Sequence, residues 1–286
     1  MLKRRLIAII GAPLLLLLSA CQSASFDIAN LPAAFGVQRS TQQFAPGARG
    51  ELDVFTAKAA RDATAKRPLL VFFYGGGFDM GSRRQYRFAG AALAKLGYVT
   101  VLPDYRLYPE VRFPTFLDDA ARAVAFAQAH AAEWGADPQR IVLAGHSAGA
   151  YIAAMLALDP QYLQRAGADP KRIAALIGLS GPYDLDPNSD KLRTIFGAPY
   201  TPDDYRPVRF AGRGDPPTLL LHGTADKIVY VSHAQKLYSA LRDAAVPVTL
   251  GLYEKRGHAD TVASLSVPAR WRSPALRDIE QFLATL

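Results

Sequence analysis

The chain has 286 residues, half of them hydrophobic, with a formal net charge of +8, five histidines and a single cysteine. That length and apolar share suffice for one large domain covered on both faces of a core, and they exclude a disordered chain or an intrachain disulfide framework. The Lys and Arg residues are scattered and match no nucleic-acid-binding motif, which argues against a nucleic-acid partner. In chain order, a basic start (Met1 to Arg5) leads into an apolar run from Leu6 to Leu18, and residues 22–50, rich in Ser, Ala, Gln and Gly, read as a tether. Strand and helix signals then alternate. Glu51 to Thr56 and the continuous apolar run Leu69 to Tyr74 read as strands, Tyr86 to Leu96 as a helix stopped by Gly97, and Val99 to Leu102 as a buried strand. Phe116 to Trp134 has helical spacing and closes on Gly135. Ile141 to Ala144 is a strand and Tyr151 to Leu158 a helix. Ile173 to Leu179, Thr218 to His222 and Val248 to Tyr253 are three more strands, and a last helix runs from Ala275 to Leu286. Strands separated by helices of this length predict an α/β fold, a mostly parallel sheet with helices on both faces.

One stretch breaks the rhythm. Residues 184–217 hold seven prolines or glycines before Asp215, several charges and one short helical candidate, Lys191 to Phe196. A long irregular connection of this kind predicts a short lid over a shallow, open pocket.

Residues 1–20 have the basic, apolar and small-residue order of a signal peptide, and the apolar run is too short to span a bilayer. Leu18-Ser19-Ala20-Cys21 resembles the lipobox of bacterial lipoproteins, which implies cleavage before Cys21 and lipidation of that cysteine. The resemblance, with Gln22 following, implies a protein anchored by lipid in the bacterial cell envelope, at the outer membrane and facing the periplasm. Removing Lys3, Arg4 and Arg5 with the leader lowers the charge from +8 by three, to +5. That suits a surface near anionic headgroups.

The chemistry centres on Gly145-His146-Ser147-Ala148-Gly149, a G-x-S-x-G peptide placed between a buried strand and a helix. A sharp strand-to-helix turn there lifts a serine hydroxyl above the sheet as a nucleophile. Serine needs a base, and the base an orienting carboxylate. Of the histidines after Ser147, His258 follows the last strand in a loop free to reach the sheet edge. His222 ends a buried strand and reads as a supporter, and His233 lies in a helix. His146 is expected to pack or hydrogen-bond beneath the turn. Asp226 follows the strand ending at His222 and is the expected acid. Asp215 lies at the wrong end of its strand, Glu254 is a weaker competitor, and Asp260 suits a helix cap. Tyr74-Gly75-Gly76-Gly77-Phe78, at the end of another buried strand, offers backbone amides for an oxyanion.

These pieces, with Asp104-Tyr105-Arg106-Leu107, His222-Gly223 and Gly257-His258, resemble the α/β-hydrolase carboxylesterases, near the hormone-sensitive-lipase-like and feruloyl/acetyl-xylan-esterase-like groups. The resemblance covers residues 51–286 and implies a triad of Ser147, Asp226 and His258. It implies oxyanion donors on Gly76, Gly77 and Ala148, and Asp104 and Arg106 as braces of the glycine loop. Tyr74 stands where that family has a histidine. The expected activity is hydrolysis of short-chain carboxylic esters, small-molecule substrates, without metal or organic cofactor. The same parts would serve an arylformamidase-type amidase, and a silent, membrane-tethered binding protein is the alternative of a different class. A peptidase is disfavoured, since no propeller or peptide-binding domain accompanies the motifs.

Overall fold

A computed structural model of the chain describes residues 25–58 and 67–286. The apolar runs that do not alternate become strands covered on both faces, as their composition requires. Strands β1 (Val37–Gln43), β2 (Glu51–Ala57), β3 (Arg67–Phe73), β4 (Val99–Pro103), β5 (Ala136–His146), β6 (Ile173–Leu179), β7 (Thr218–Gly223) and β8 (Val248–Tyr253) form one sheet. Their order is β1-β2-β4-β3-β5-β6-β7-β8. β2 runs antiparallel to both β1 and β4, and the pairs from β4 through β8 are parallel. This is the mostly parallel sheet of the α/β-hydrolase fold.

The helices are α1 over 25–30, α2 (Arg87–Lys95), α3 (Thr115–His130), α4 (Ala148–Leu158) and α5 (Gln161–Arg165). They continue with α6 (Asp190–Phe196), α7 (Pro202–Tyr205), α8 (Ser232–Asp243), α9 (Asp260–Ala263) and α10 (Ala275–Leu283). α4 is apolar on every side and accordingly lies buried from Ala148 to Leu156 against β5 and β6. α10 is amphipathic and buries Ala275, Ile279 and Leu283, four residues apart on one face. α3 ends as its sequence predicts: a 3-10 turn, Ala131–Trp134, closes on Gly135 in the left-handed conformation.

Two expectations need correction. The stretch 22–50 is not a tether throughout, because β1 lies within it and pairs with β2 from Val37↔Ala57 to Gln43↔Glu51. Only Val37 of that strand is buried, so it carries no alternating apolar pattern. Within 184–217, α7 adds a second short helix to the one expected, and the segment is packed. Phe196 and Tyr205 are buried, and the Phe196 ring stands edge-on to Phe78 at 5.1 Å and to Tyr151 at 5.6 Å. The leader and Cys21 lie outside the described residues.

Candidate active site

The site is assembled at the carboxyl ends of β3, β5, β7 and β8, where an open α/β sheet leaves its loops and helix N-termini. β5 hands over to α4 at Ser147, whose φ of 55° and ψ of −122° are strained for a residue with a side chain. Both neighbouring glycines are compelled by close approach. A Cβ on Gly145 would collide with the Gly149 carbonyl, and one on Gly149 with the Phe73 carbonyl of β3. The Ser147 amide donates to Leu179 O at 2.9 Å, which ties the turn to the end of β6. Ser147 is left 8% exposed, enough to be reached from above.

His258, in the loop after β8, places Nε2 2.9 Å from Ser147 Oγ and Nδ1 2.7 Å from Asp226 Oδ2. Three residues named from the sequence are thereby brought together from positions 111 and 32 residues apart. Asp226 sits in the turn after β7, where its other oxygen, Oδ1, accepts from the Ile228 and Val229 amides, both at 2.9 Å. Burial opposes its charge. Hydrogen bonds from His222 and His258 and from the Val229 amide outweigh that and hold the carboxyl well below its ordinary 3.8. His222 Nε2 donates to Val229 O at 2.8 Å and lies 3.3 Å from Asp226 Oδ2, so it supports the turn rather than the reaction. His233 is occupied elsewhere, accepting from the Asp184 amide at 3.1 Å. Asp215 accepts from Gly212 N and Asp260 from Gly257 N, each a local turn contact at 2.8 Å. Glu254 is exposed beside Lys255.

The glycine loop follows β3. Gly76 and Gly77 have φ of 144° and 59°, and among the described residues neither amide has an acceptor. Ala148 opens α4, so its N–H is likewise free of the helix ladder. Lys191 of α6 reaches Asp79 just beyond the glycines, 2.7 Å from Oδ2.

Beneath this edge lies His146, fully buried, as expected, under the turn. Its Nε2 is 3.2 Å from His258 O, and its Nδ1 is 2.9 Å from Tyr86 Oη. A carbonyl can only accept, so Nε2 carries the proton and Tyr86 donates to Nδ1. Gly75 packs against the same ring, since a Cβ there would lie 2.9 Å from His146 Nδ1. Burial, with His258 close by, pushes the His146 pKa down to about 3 and keeps the ring neutral. Hydrogen bonds thus join the serine turn to the histidine loop and to Tyr86, a residue the motifs do not mark, and the glycine loop packs on the same ring.

Tyr74 lies fully buried, stacked on Tyr105 with ring centroids 4.4 Å apart. Its hydroxyl receives Arg49 Nη1 at 3.0 Å, and the same nitrogen donates to Gly81 O at 2.8 Å. Tyr105 Oη donates back to Tyr74 O at 2.8 Å. The phenol thus braces the far end of the loop. Asp104 does the same by accepting from the Arg83 amide at 2.9 Å and pairing with its guanidinium. Arg106 does not brace the loop: it makes a two-pronged pair with Asp119 of α3, both contacts at 2.8 Å.

Residues 52–241 match the family model described as BD-FAE. Esterase LipC of Mycobacterium tuberculosis is 33% identical over 67% of this chain and 52% of its own length. The probable carboxylic ester hydrolase LipM of the same organism is 30% identical over 83% of this chain and 58% of its own. The chain therefore spans little more than half the length of these relatives. Among solved structures, the propionate-bound esterase Est2 of Thermogutta terrifontis superposes with a TM-score of 0.73 at 25% identity, covering 88% of this chain and 94% of that one. The serine turn, the glycine loop and the strand order that unites them thus belong to a member of the BD-FAE family.

Proposed function

We propose that the protein is a serine hydrolase of short-chain carboxylic esters. The observation that carries this is the unbroken line from Ser147 Oγ through the His258 ring to Asp226, at 2.9 and 2.7 Å, beside three backbone amides without an acceptor among the described residues. Ser147 Oγ attacks the ester carbonyl as His258 Nε2 takes its proton. Asp226 keeps the proton of Nδ1 in place and favours the imidazolium that forms. The amides of Gly76, Gly77 and Ala148 face the oxyanion of the tetrahedral intermediate. His258 then returns the proton to the leaving alcohol, and water repeats the sequence on the acyl-enzyme. The esterase names of LipC and LipM, and the propionate held by the Thermogutta enzyme, support both the reaction and the small acyl group. Packing supports it too, since Phe78, Tyr151 and Phe196 fill the space beside the glycine loop.

The localisation proposed with it is a lipid anchor on Cys21 in the bacterial cell envelope. The supporting feature is Leu18-Ser19-Ala20-Cys21 after an apolar run. A chromogenic series from p-nitrophenyl acetate to palmitate tests the reaction. Acetate or butyrate should turn over fastest, and Ser147→Ala should lose at least about ten-thousandfold in kcat. Equal, negligible rates for both proteins would reject the esterase, and turnover of N-formyl-kynurenine instead would identify an amidase.

A further inference from the structure

Apart from the site, the described surface carries a concentration of exposed apolar side chains that folding does not use. Ile28, Leu31, Phe35, Val267 and Trp271 expose between 54% and 73% of their surface, and they make up five of nine such large side chains. Chain separation hides how close they are. A surface cleft is lined jointly by Pro32 and Ala33 from the N-terminal turns, Lys95 of α2, and Val267 and Arg270. A neighbouring cavity of about 410 Å³ continues from Arg270 to Trp271 and Leu252. Phe35 joins the same face, because the Cβ position of Gly36 lies 3.5 Å from Lys95 Cε.

Charge gives the face its second property. Arg84, Lys95 and Arg270 are exposed and make no ion pair among the described residues. The acids at its margins are Asp27 and Glu254, the latter beside Lys255. Arg272 spreads over the Trp271 ring at 5.1 Å while pairing with Asp260. Leu, Phe and Trp side chains flanked by free Lys and Arg are what an interfacial surface presents to a bilayer. The apolar groups enter the headgroup boundary, and the cations meet anionic lipid at roughly 1 kcal/mol each. The apolar run Leu6 to Leu18 and Cys21 lead directly into this face, whose first turns begin at residue 25.

We infer that the face formed by Ile28, Leu31, Phe35, Lys95, Val267 and Trp271 lies against an anionic lipid surface. The membrane is then a second contact of the folded domain and not only the end of a leash. This rests on the proposed membrane attachment, and the experiment separates the two. The chain has two tryptophans, and the other, Trp134, lies in the 3-10 turn after α3, stacked near His130. The full-length protein is bound to vesicles of phosphatidylcholine and phosphatidylglycerol with bromine on the acyl chains. It is followed in a Trp134→Phe background, where only Trp271 emits, and in a Trp271→Phe background, where only Trp134 emits.

Trp271 emission should shift to the blue and be quenched at least about twofold, as expected for a ring at the acyl boundary. Trp134 should be unaffected. Lys95→Gln with Arg270→Gln should relieve the quenching, as should phosphatidylcholine alone or high salt. Protein that floats with the vesicles while Trp271 stays as unquenched as Trp134 overturns the inference and leaves the anchor standing. Failure to float at all overturns the attachment and the inference with it. A Cys21→Ser protein that sediments as a dimer, and as a monomer once Phe35→Ser and Trp271→Ser are added, assigns the face to a second copy and also overturns it.

Discussion

The loop from Tyr74 to Tyr86 touches two buried polar regions that are built on opposite plans. On one side it meets the serine turn, where His146 bonds the His258 carbonyl and the Tyr86 hydroxyl, His222 bonds the Val229 carbonyl through Nε2, and Asp226 supplies the carboxylate. On the other it meets the antiparallel flank of β1, β2 and β4, where charges crowd together. Asp53, fully buried, takes Arg83 at 3.2 Å, Arg87 at 2.9 Å and Arg39 at 3.1 Å, and Thr41 donates to it at 2.7 Å. Arg83 also pairs with Glu51 and Asp104. The flank satisfies every charge and so fixes geometry. The site leaves Ser147 and His258 in a line whose proton can move, and it depends on the flank to hold the loop still. Reactivity and rigidity are thus divided between neighbours that share one loop.

The sharpest way to test that division is to alter one member of each side. Asp226→Asn keeps the shape of the side chain but offers His258 Nδ1 the wrong partner and removes the charge that favours the imidazolium. Turnover of p-nitrophenyl butyrate should fall by about ten-thousandfold, with little change in the unfolding midpoint. Loss of folding in step with loss of rate would show that the carboxylate is structural and would erase the contrast.

Asp53→Ala should do the opposite. Removing it strands Arg83, 3% exposed, with one fewer acid, and the expected cost is about 3–5 kcal/mol of stability. In protein that remains folded, kcat should change by less than about twofold, because Asp53 touches nothing that reacts and the Arg83–Asp104 contacts that hold the loop stay in place. The acid side gives a sign to check. Burial opposes the Asp53 charge, but Thr41 and the arginines hold its folded pKa below the ordinary 3.8. Its contribution is therefore present above that value and disappears as pH falls through the lower folded pKa. Denaturant titrations should show the wild-type and Asp53→Ala curves converging below about pH 3.8 and parallel above it. A gap that stays constant would mean Asp53 acts through packing.

The same contrast explains what could be read from the chain. The parallel strands and the serine turn were legible because local necessity writes them: apolar runs buried on both faces, and glycines where Gly149 meets the Phe73 carbonyl. Asp226 and His258 followed from their places after β7 and β8. β1 was not legible, since Gln38 to Gln43 is polar and mostly exposed and is recruited by pairing with β2. Part of that recruitment is Thr41 and Arg39 reaching Asp53 across the register. Arg106 was read as a loop brace from its motif, yet its partner, Asp119, is fixed only once α3 packs. Tyr86 was missed for the same reason, because its partner His146 is 60 residues away.

Tyr86 also supplies the smallest and most discriminating test. Its hydroxyl donates to His146 Nδ1, the atom against which Gly75 packs, so it fixes the ring that lies between the glycine loop and the turn that carries Ser147. Tyr86→Phe keeps the ring, which packs 5.5 Å from Phe26 and 5.7 Å from Phe88, and removes only that link. One buried acceptor, His146 Nδ1, loses its donor, which should lower stability by about 1–3 kcal/mol. If the link also holds the oxyanion amides in place, kcat should fall by about tenfold while KM stays nearly constant, because the loss is felt only where charge develops. A stability loss with kcat unchanged would confine Tyr86 to the fold. The glycine loop would then owe its position to the Arg49, Tyr74 and Arg83 contacts alone, and the division between a rigid flank and a poised site would be sharper than the hydrogen bonds suggest.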